Sequence, residues 1–342
     1  MWTQEKEDIL QILDDNNITW NDFYGKTILI TGATGLIGSL CIKSLLALEK
    51  APKIIAFVRD LDKGKAMFGN QVDYLVGDIR KSIPHSYPVD YIIHCASVTA
   101  SKTMITAPVD TMTISYLGTM NVMEFARESQ VKGVVYISSM EVYGETEEVQ
   151  NPITEEKLGY INLSRPRSTY PEGKRACELL CYAYYAQYKV PVKIARLAQT
   201  FGAGIPKSDN RMSMQFAKSI VQNEDICLHT KGNSLSNYCY SVDAIRGIFT
   251  ILLKGEDGEA YNVCNDKETR SVSEIAMLVA EKIGKNQIRV IYDIPENNVF
   301  GYAPDSKMRL CSDKLNRLGW TASVSMKEGY GRLVRYLQEK YN

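Results

Sequence analysis

The chain has 342 residues, 45% hydrophobic and 23% charged, which is enough apolar material for a large core and enough length for two lobes. Forty basic residues balance forty acidic ones, so no net field draws in a nucleic-acid backbone or an anionic membrane, and any anionic ligand must be held by local geometry. The opening MWTQEKEDILQILDDNN is acidic and amphipathic, unlike a secretory signal, and no apolar run approaches the roughly 18 residues that would imply membrane insertion.

Residues 1–24 read as an N-terminal helical extension. From there KTILITGATGLIGSLCIKSLLALEK passes from a β-branched strand through a glycine turn into an apolar-periodic helix. Short apolar runs recur at KIIAFVRD, VDYLVGD, VDYIIHCAS and VKGVVYISS, separated by helical patterns such as MNVMEFARESQ. Strands alternating with helices predict an α/β fold, a Rossmann-type doubly wound parallel sheet over residues 25–200. Past VKIARLAQTFGAG the alternation weakens and loops such as TKGNSLSN appear. Residues 201–342 are expected to form mainly a smaller, discontinuous α/β substrate-binding lobe, with a return to the first lobe near 237–265.

Eight cysteines stand singly without a CxxC, and His85, His94 and His229 are too dispersed for a zinc set. This reads as a reducing cytoplasm and no metal. Cys177 and Cys181 share a helical face, as small packing residues do.

Gly32, Gly35 and Gly38 remove side chains where a backbone must turn sharply, approach a pyrophosphate and present helix amides to it, the spacing of a dinucleotide site. About twenty residues on, NAD sites place a carboxylate for the adenosine ribose, whereas an arginine accommodates the NADP phosphate. A strand ending at Val58 puts Arg59 beside that slot and favours NADP(H) over NAD. In the alternative, Asp60 reaches back and Arg59 is merely solvated.

In PRSTYPEGKRACE, Thr169 and Glu172 can form a capping box with Pro171 in the tolerated first turn, so a helix is expected from Tyr170. Lys174 shares its face. A phenol of ordinary pKa about 10 is a poor base at neutral pH. The lysine ammonium and a bound nicotinamide cation are expected to favour the phenolate. Ser139 ends the strand of VYISSMEVYG at the sheet's carboxyl edge, within reach of a reacting oxygen. Alone, each residue also reads as packing or turn chemistry; their order after a dinucleotide turn points to catalysis.

GATGLIG, Ser139-x-Glu141-Val-Tyr-Gly, Tyr170-x-x-x-Lys174 and RLCSDKLNRLGW together resemble the extended short-chain dehydrogenase/reductase family, which modifies nucleotide-linked sugars, over roughly Gly25 to Trp320. Within it, the tyrosine segment is most similar to UDP-glucuronate decarboxylases and to dehydratase-like enzymes of bacterial polysaccharide biosynthesis. The resemblance implies Ser139, Tyr170 and Lys174 as the catalytic triad and Glu141 as a further proton-moving carboxylate. Around the NAD(P) cofactor it implies Gly32, Thr34, Gly35, Leu36, Ile37, Gly38, Asp78, Ile79, Ala96 and Ser97, with Lys174 on a ribose hydroxyl. It also implies a homodimer built on MNVMEFARESQ and RACELLCYAYYAQY.

Two departures stand out. Gln199 takes the place of the family's asparagine in Arg-x-x-Asn-x-Tyr-Gly, and Ser236 stands where many relatives carry an arginine for the nucleotide diphosphate. Losing such a contact weakens binding by about 1.5–3 kcal/mol. Arg211 and Arg309 are the candidate substitutes. The expected activity is reversible hydride exchange with a nucleotide-sugar substrate, ending in epimerisation, dehydration or decarboxylation. Net NADPH-dependent reduction of a keto-sugar is the alternative, and a non-catalytic cofactor-binding regulator is the reading from another class.

Overall fold

The structure is a computed structural model that describes residues 2–146, 152–206, 208–296 and 305–341. The acidic N-terminal segment folds as α1 (Thr3–Leu13), whose buried carboxylates are matched: Glu5 Oε1 lies 2.6 Å from Lys43 Nζ, and Asp8 Oδ1 2.9 Å from Arg332 Nη1. Strand and helix then alternate through β1 (Thr27–Thr31), α2 (Leu36–Leu46), β2 (Lys53–Val58), α3 (Leu61–Phe68), β3 (Asp73–Val76), β4 (Tyr91–His94), α4 (Ser101–Thr106), α5 (Pro108–Glu128), β5 (Gly133–Ser139), α6 (Thr169–Tyr188) and β6 (Val192–Leu197). Downstream come β7 (Gln199–Phe201), α7 (Met212–Gln222), β8 (Ile226–Leu228), β9 (Leu235–Tyr240), α8 (Ser241–Lys254), β10 (Ala260–Val263), β11 (Thr269–Ser271), α9 (Val272–Leu278), β12 (Val290–Tyr292), α10 (Asp313–Asn316) and α11 (Met326–Tyr341).

Seven strands make one parallel sheet in the order β3-β2-β1-β4-β5-β6-β10. Alternate residues of each strand enter separate cores. Ile28, Ile30, Ile93, Val135 and Ala195 pack on one face, while Leu29, Ile92, Val134, Tyr136 and Ile194 pack on the other. Burial on both sides explains the near-continuous apolar strand sequences. The winding direction reverses between β1 and β4, which opens a crevice at the strands' carboxyl ends. After β6 the chain alternates between this sheet and smaller ones: β9 lies between β7 and β11, and β8 pairs with β12, whereas α8 leads back to β10.

A buried ionic cluster fastens the strands to α6. Arg196 on β6 places Nη2 2.6 Å from Glu178 Oε2 and donates from Nη1 to the Tyr143 hydroxyl at 3.0 Å and the Glu155 carbonyl at 2.6 Å. Ser138 on β5 donates to the other Glu178 oxygen, and Tyr143 donates to Asn262 Oδ1 on β10 at 2.6 Å. Removing one partner strands a buried charge, so Arg196→Met should destabilise the protein by about 3–5 kcal/mol. Urea denaturation checks this, and the Arg196→Met/Glu178→Met double variant should recover part of the loss.

Candidate active site

The chain leaves β1 at Gly32, whose φ of +62° lies in the left-handed region. A Cβ there would sit 2.8 Å from the Ala96 amide nitrogen. One on Gly35 would stand 3.2 Å, and one on Gly38 2.5 Å, from the Gly32 carbonyl oxygen. The three glycines thus let β1, α2 and the segment after β4 close on one another. No side chain caps the first amides of α2, Leu36 and Ile37 among them, and Thr34 sits half-buried in the turn. This cradle fits a pyrophosphate. A hydrogen-bond chain stiffens it: the Ala96 amide donates to Thr31 Oγ1 at 3.2 Å, which in turn lies 2.7 Å from His94 Nδ1. Burial keeps that imidazole neutral, its pKa pushed down to about 3.

β2 ends at Val58, leaving Arg59 exposed beside the crevice. Asp60 does not reach back; its carboxylate caps α3 by accepting the Lys63 amide at 3.0 Å. Beyond β3, Asp78 is gripped by Arg80 at 2.6 Å, and that hydrogen-bonded guanidinium holds its pKa down at about 2. Ile79 is buried and its carbonyl accepts the Asn121 side chain at 2.9 Å, while Ser97 follows Ala96 after β4.

Ser139 ends β5, and its Oγ accepts the Glu141 amide at 3.2 Å in the tight turn that follows. Opposite it α6 begins at Thr169, one residue earlier than the sequence predicts and without the expected capping box. A 3₁₀ turn over Pro166–Ser168 feeds directly into the helix, and Thr169 Oγ1 donates to the Pro166 carbonyl at 2.7 Å instead. Tyr170 is buried in the first turn, near enough to Ser139 for that hydroxyl to act on its acidity. One turn on, Lys174 donates to the Ile137 carbonyl at 2.6 Å, and its Nζ is 6.0 Å from the centre of the Tyr170 ring.

The electrostatics differ from expectation. Burial, and then the Glu141 carboxylate, raise the Tyr170 phenol above its ordinary range; the Ser139 hydroxyl and the cations Arg167 and Arg211 oppose them. Burial also pulls the Lys174 ammonium below its usual range. The cation against the phenol that sequence reading missed is Arg167, 5.6 Å over the Tyr170 ring and 2.8 Å from Glu141. Its signal was its place three residues before Tyr170, which matters only once the helix is known to be entered by a further turn.

Arg211 belongs to this neighbourhood, held by Asp209 at 3.0 Å and donating to the Thr200 carbonyl at 3.3 Å, next to the exposed Gln199. Arg309 lies between Met308, whose amide donates to the Leu235 carbonyl at 3.1 Å, and Leu310, whose amide donates to Asn237 Oδ1 at 2.6 Å, and with Pro152, Asp266, Lys267 and Thr269 it lines a cavity of about 530 Å³. Ser236 packs its hydroxyl 3.5 Å from Met140 Sδ, in the turn that follows Ser139, and is paired across the strands with Arg270.

A doubly wound sheet with a glycine cradle at its switch point defines a Rossmann-type dinucleotide-binding protein. The chain belongs to the NAD dependent epimerase/dehydratase family, whose model matches residues 28–264. It is 28% identical over 307 residues to UDP-glucuronic acid decarboxylase 6 of Arabidopsis thaliana, covering 88% of this chain and 86% of that protein. It is 26% identical over 339 residues to the dTDP-D-glucose 4,6-dehydratase of Homo sapiens, covering 93% and 92%. Among solved structures, the UDP-glucose 4-epimerase of Thermotoga maritima with UDP-glucose has a TM-score of 0.80 at 20% identity, covering 92% and 100%. The dTDP-glucose 4,6-dehydratase of Streptomyces venezuelae with NAD has 0.77 at 23%, covering 92% and 97%.

Since a methyl on Gly38 collides with backbone rather than with a mobile side chain, Gly38→Ala should weaken NAD binding at least tenfold. Fluorescence titration reads the loss, with far-ultraviolet circular dichroism unchanged.

Proposed function

We propose that this protein binds NAD(P) and reversibly oxidises the sugar of a nucleotide-linked substrate, then carries the resulting ketone through decarboxylation, dehydration or epimerisation. The convergence of Ser139, Tyr170 and Lys174 at the carboxyl edge of β5 carries this reading, and the named activities of the relatives support it. A bound nicotinamide supplies the hydride acceptor and, once reduced, the donor. Tyr170 takes the proton of the sugar hydroxyl and Ser139 steadies the developing carbonyl oxygen. Lys174 holds the coenzyme ribose, and Glu141 moves a proton at a carbon made acidic by the adjacent ketone. Arg211 and Arg270 are proposed to meet the substrate's phosphates in place of the arginine replaced by Ser236; Gln199 lies beside them.

For the coenzyme, exposed Arg59 and an Asp60 already spent as a helix cap favour the NADP phosphate over the NAD ribose. The same feature sustains the second reading, net reduction of a keto-sugar by NADPH. A regulator without turnover is the third. We further propose a homodimer through α5 and α6, which expose Val109, Tyr116, Met120, Leu179, Tyr182 and Tyr188. A cytoplasmic setting accords with the free cysteines and with the lack, among the described residues, of a helix able to span a membrane.

Incubation with UDP-, dTDP-, CDP- and GDP-sugars, UDP-glucuronate included, and either coenzyme, separates the readings by product mass. Loss of carbon dioxide, loss of water, unchanged mass or a gain of two hydrogens marks decarboxylase, dehydratase, epimerase or reductase. Tyr170→Phe should lower turnover by about 10²–10⁴; an unaffected rate would remove Tyr170 from the chemistry.

Arg167→Gln takes a positive charge away from the phenol, making the phenolate harder to form. The acid limb of kcat/KM in the oxidising direction should therefore move to higher pH, with a rate at neutral pH lower by a factor on the order of ten. Arg167→Lys should hold the limb in place. A loss equal at every pH would instead indicate a purely structural role.

A further inference from the structure

The histidines are dispersed in sequence, yet the parallel pairing of β8 with β12 gathers a mixed donor set from residues 64 positions apart. Cys227 and His229, two apart, point to one face of the ribbon. The register sets Cys227 opposite Ile291, and the Asp293 amide donates to the Leu228 carbonyl at 3.0 Å, which brings Asp293 alongside His229. Cys227 Sγ lies 3.9 Å from His229 Nδ1, which is itself 3.9 Å from Asp293 Oδ2. The thiol, imidazole and carboxylate ligand atoms all lie within 4.8 Å of one another. A point equidistant from atoms so placed is about 2.5 Å from each, against about 2.0–2.3 Å for zinc bonds to these donors, so small side-chain rotations close the difference.

We propose that Cys227, His229 and Asp293 form a binding site for a thiophilic divalent transition-metal ion, zinc foremost. A thiolate and an imidazole select zinc over the hard cations magnesium and calcium, which take oxygen donors. Three protein ligands leave a fourth tetrahedral position for water. Binding releases the thiol proton to solvent. It also exchanges the 2.9 Å hydrogen bond from His229 Nδ1 to the Asp293 carbonyl for a coordinate bond, with the ring proton moving to Nε2. Cys227 and His229 are half-buried and Asp293 is exposed, so the ion enters from solvent without opening the core. Once bound it cross-links β8 and β12, each only three residues long.

The whole protein, stripped with chelator and kept reduced, is titrated with ZnCl₂ against a chromophoric chelator. A parallel titration with CoCl₂ reads the near-ultraviolet thiolate-to-cobalt absorption. The expected results are one zinc per chain, the cobalt band, and at least tenfold weaker zinc binding in Cys227→Ser and in Asp293→Asn. His85→Gln, at the separate exposed pair of His85 with Glu128, should bind as the wild type does. The proposal is overturned by the lack of a bound equivalent, by Cys227→Ser binding zinc as tightly as the wild type, or by loss of the site in His85→Gln. The exposed side chain of Asp293 makes Asp293→Asn decisive should Cys227→Ser fail to fold.

Discussion

The buried pair of Arg196 and Glu178 is the contact on which the geometry of the crevice rests. Glu178 lies two turns along α6 from Tyr170 and one from Lys174, while its carboxylate also receives Ser138, the neighbour of Ser139. One anion thus fixes a helix to two adjacent strands at the edge where Ser139 emerges. Arg196 extends the brace through Tyr143 to Asn262 on the outermost strand. A pair this deep gains little net stability once desolvation is counted. Its value is positional, because an apolar substitute could fill the volume without specifying which turn of α6 faces which strand.

Against that rigid frame the phenol is held in electrostatic tension. Burial and Glu141 favour the protonated form; Arg167 and Arg211 oppose them. Because Glu141 and Arg167 are paired with each other, neither charge acts on Tyr170 at full strength. Any ligand that draws Glu141 away leaves the guanidinium to act on the ring unopposed, and acidity then depends on occupancy of the crevice. The lysine one turn on stays tied to a main-chain carbonyl, a posture suited to gripping a hydroxyl rather than to discharging a neighbour.

The parts of this arrangement that were legible in sequence are those written in local pattern. β2 ends where its apolar run ends, at Val58, and the glycine spacing marks a turn that cannot carry side chains. The entry to α6 was misread because Thr169 and Glu172 have the spacing of a capping box, whereas a 3₁₀ turn over Pro166–Ser168 runs straight into the helix. The setting of Arg309 could not be read from spacing, because its backbone pairs with Ile153, a contact spanning more than 150 residues. Arg167 escaped for a related reason: its partner Glu141 is 26 positions away, joined to it only when β5 and α6 are brought face to face. Charge pairs across such distances are settled by tertiary packing, on which propensity is silent.

α6 has one end in the crevice and an outward flank carrying Leu179 and Tyr182. Nine residues of helix separate Tyr170 from Leu179, about 14 Å of stiff rod. A push on the flank therefore has little compliance in which to dissipate, and a tilt of a few degrees there displaces the phenol by a sizeable fraction of an ångström. Mechanically, the outer surface of this helix is a lever arm whose short end is the Tyr170 phenol.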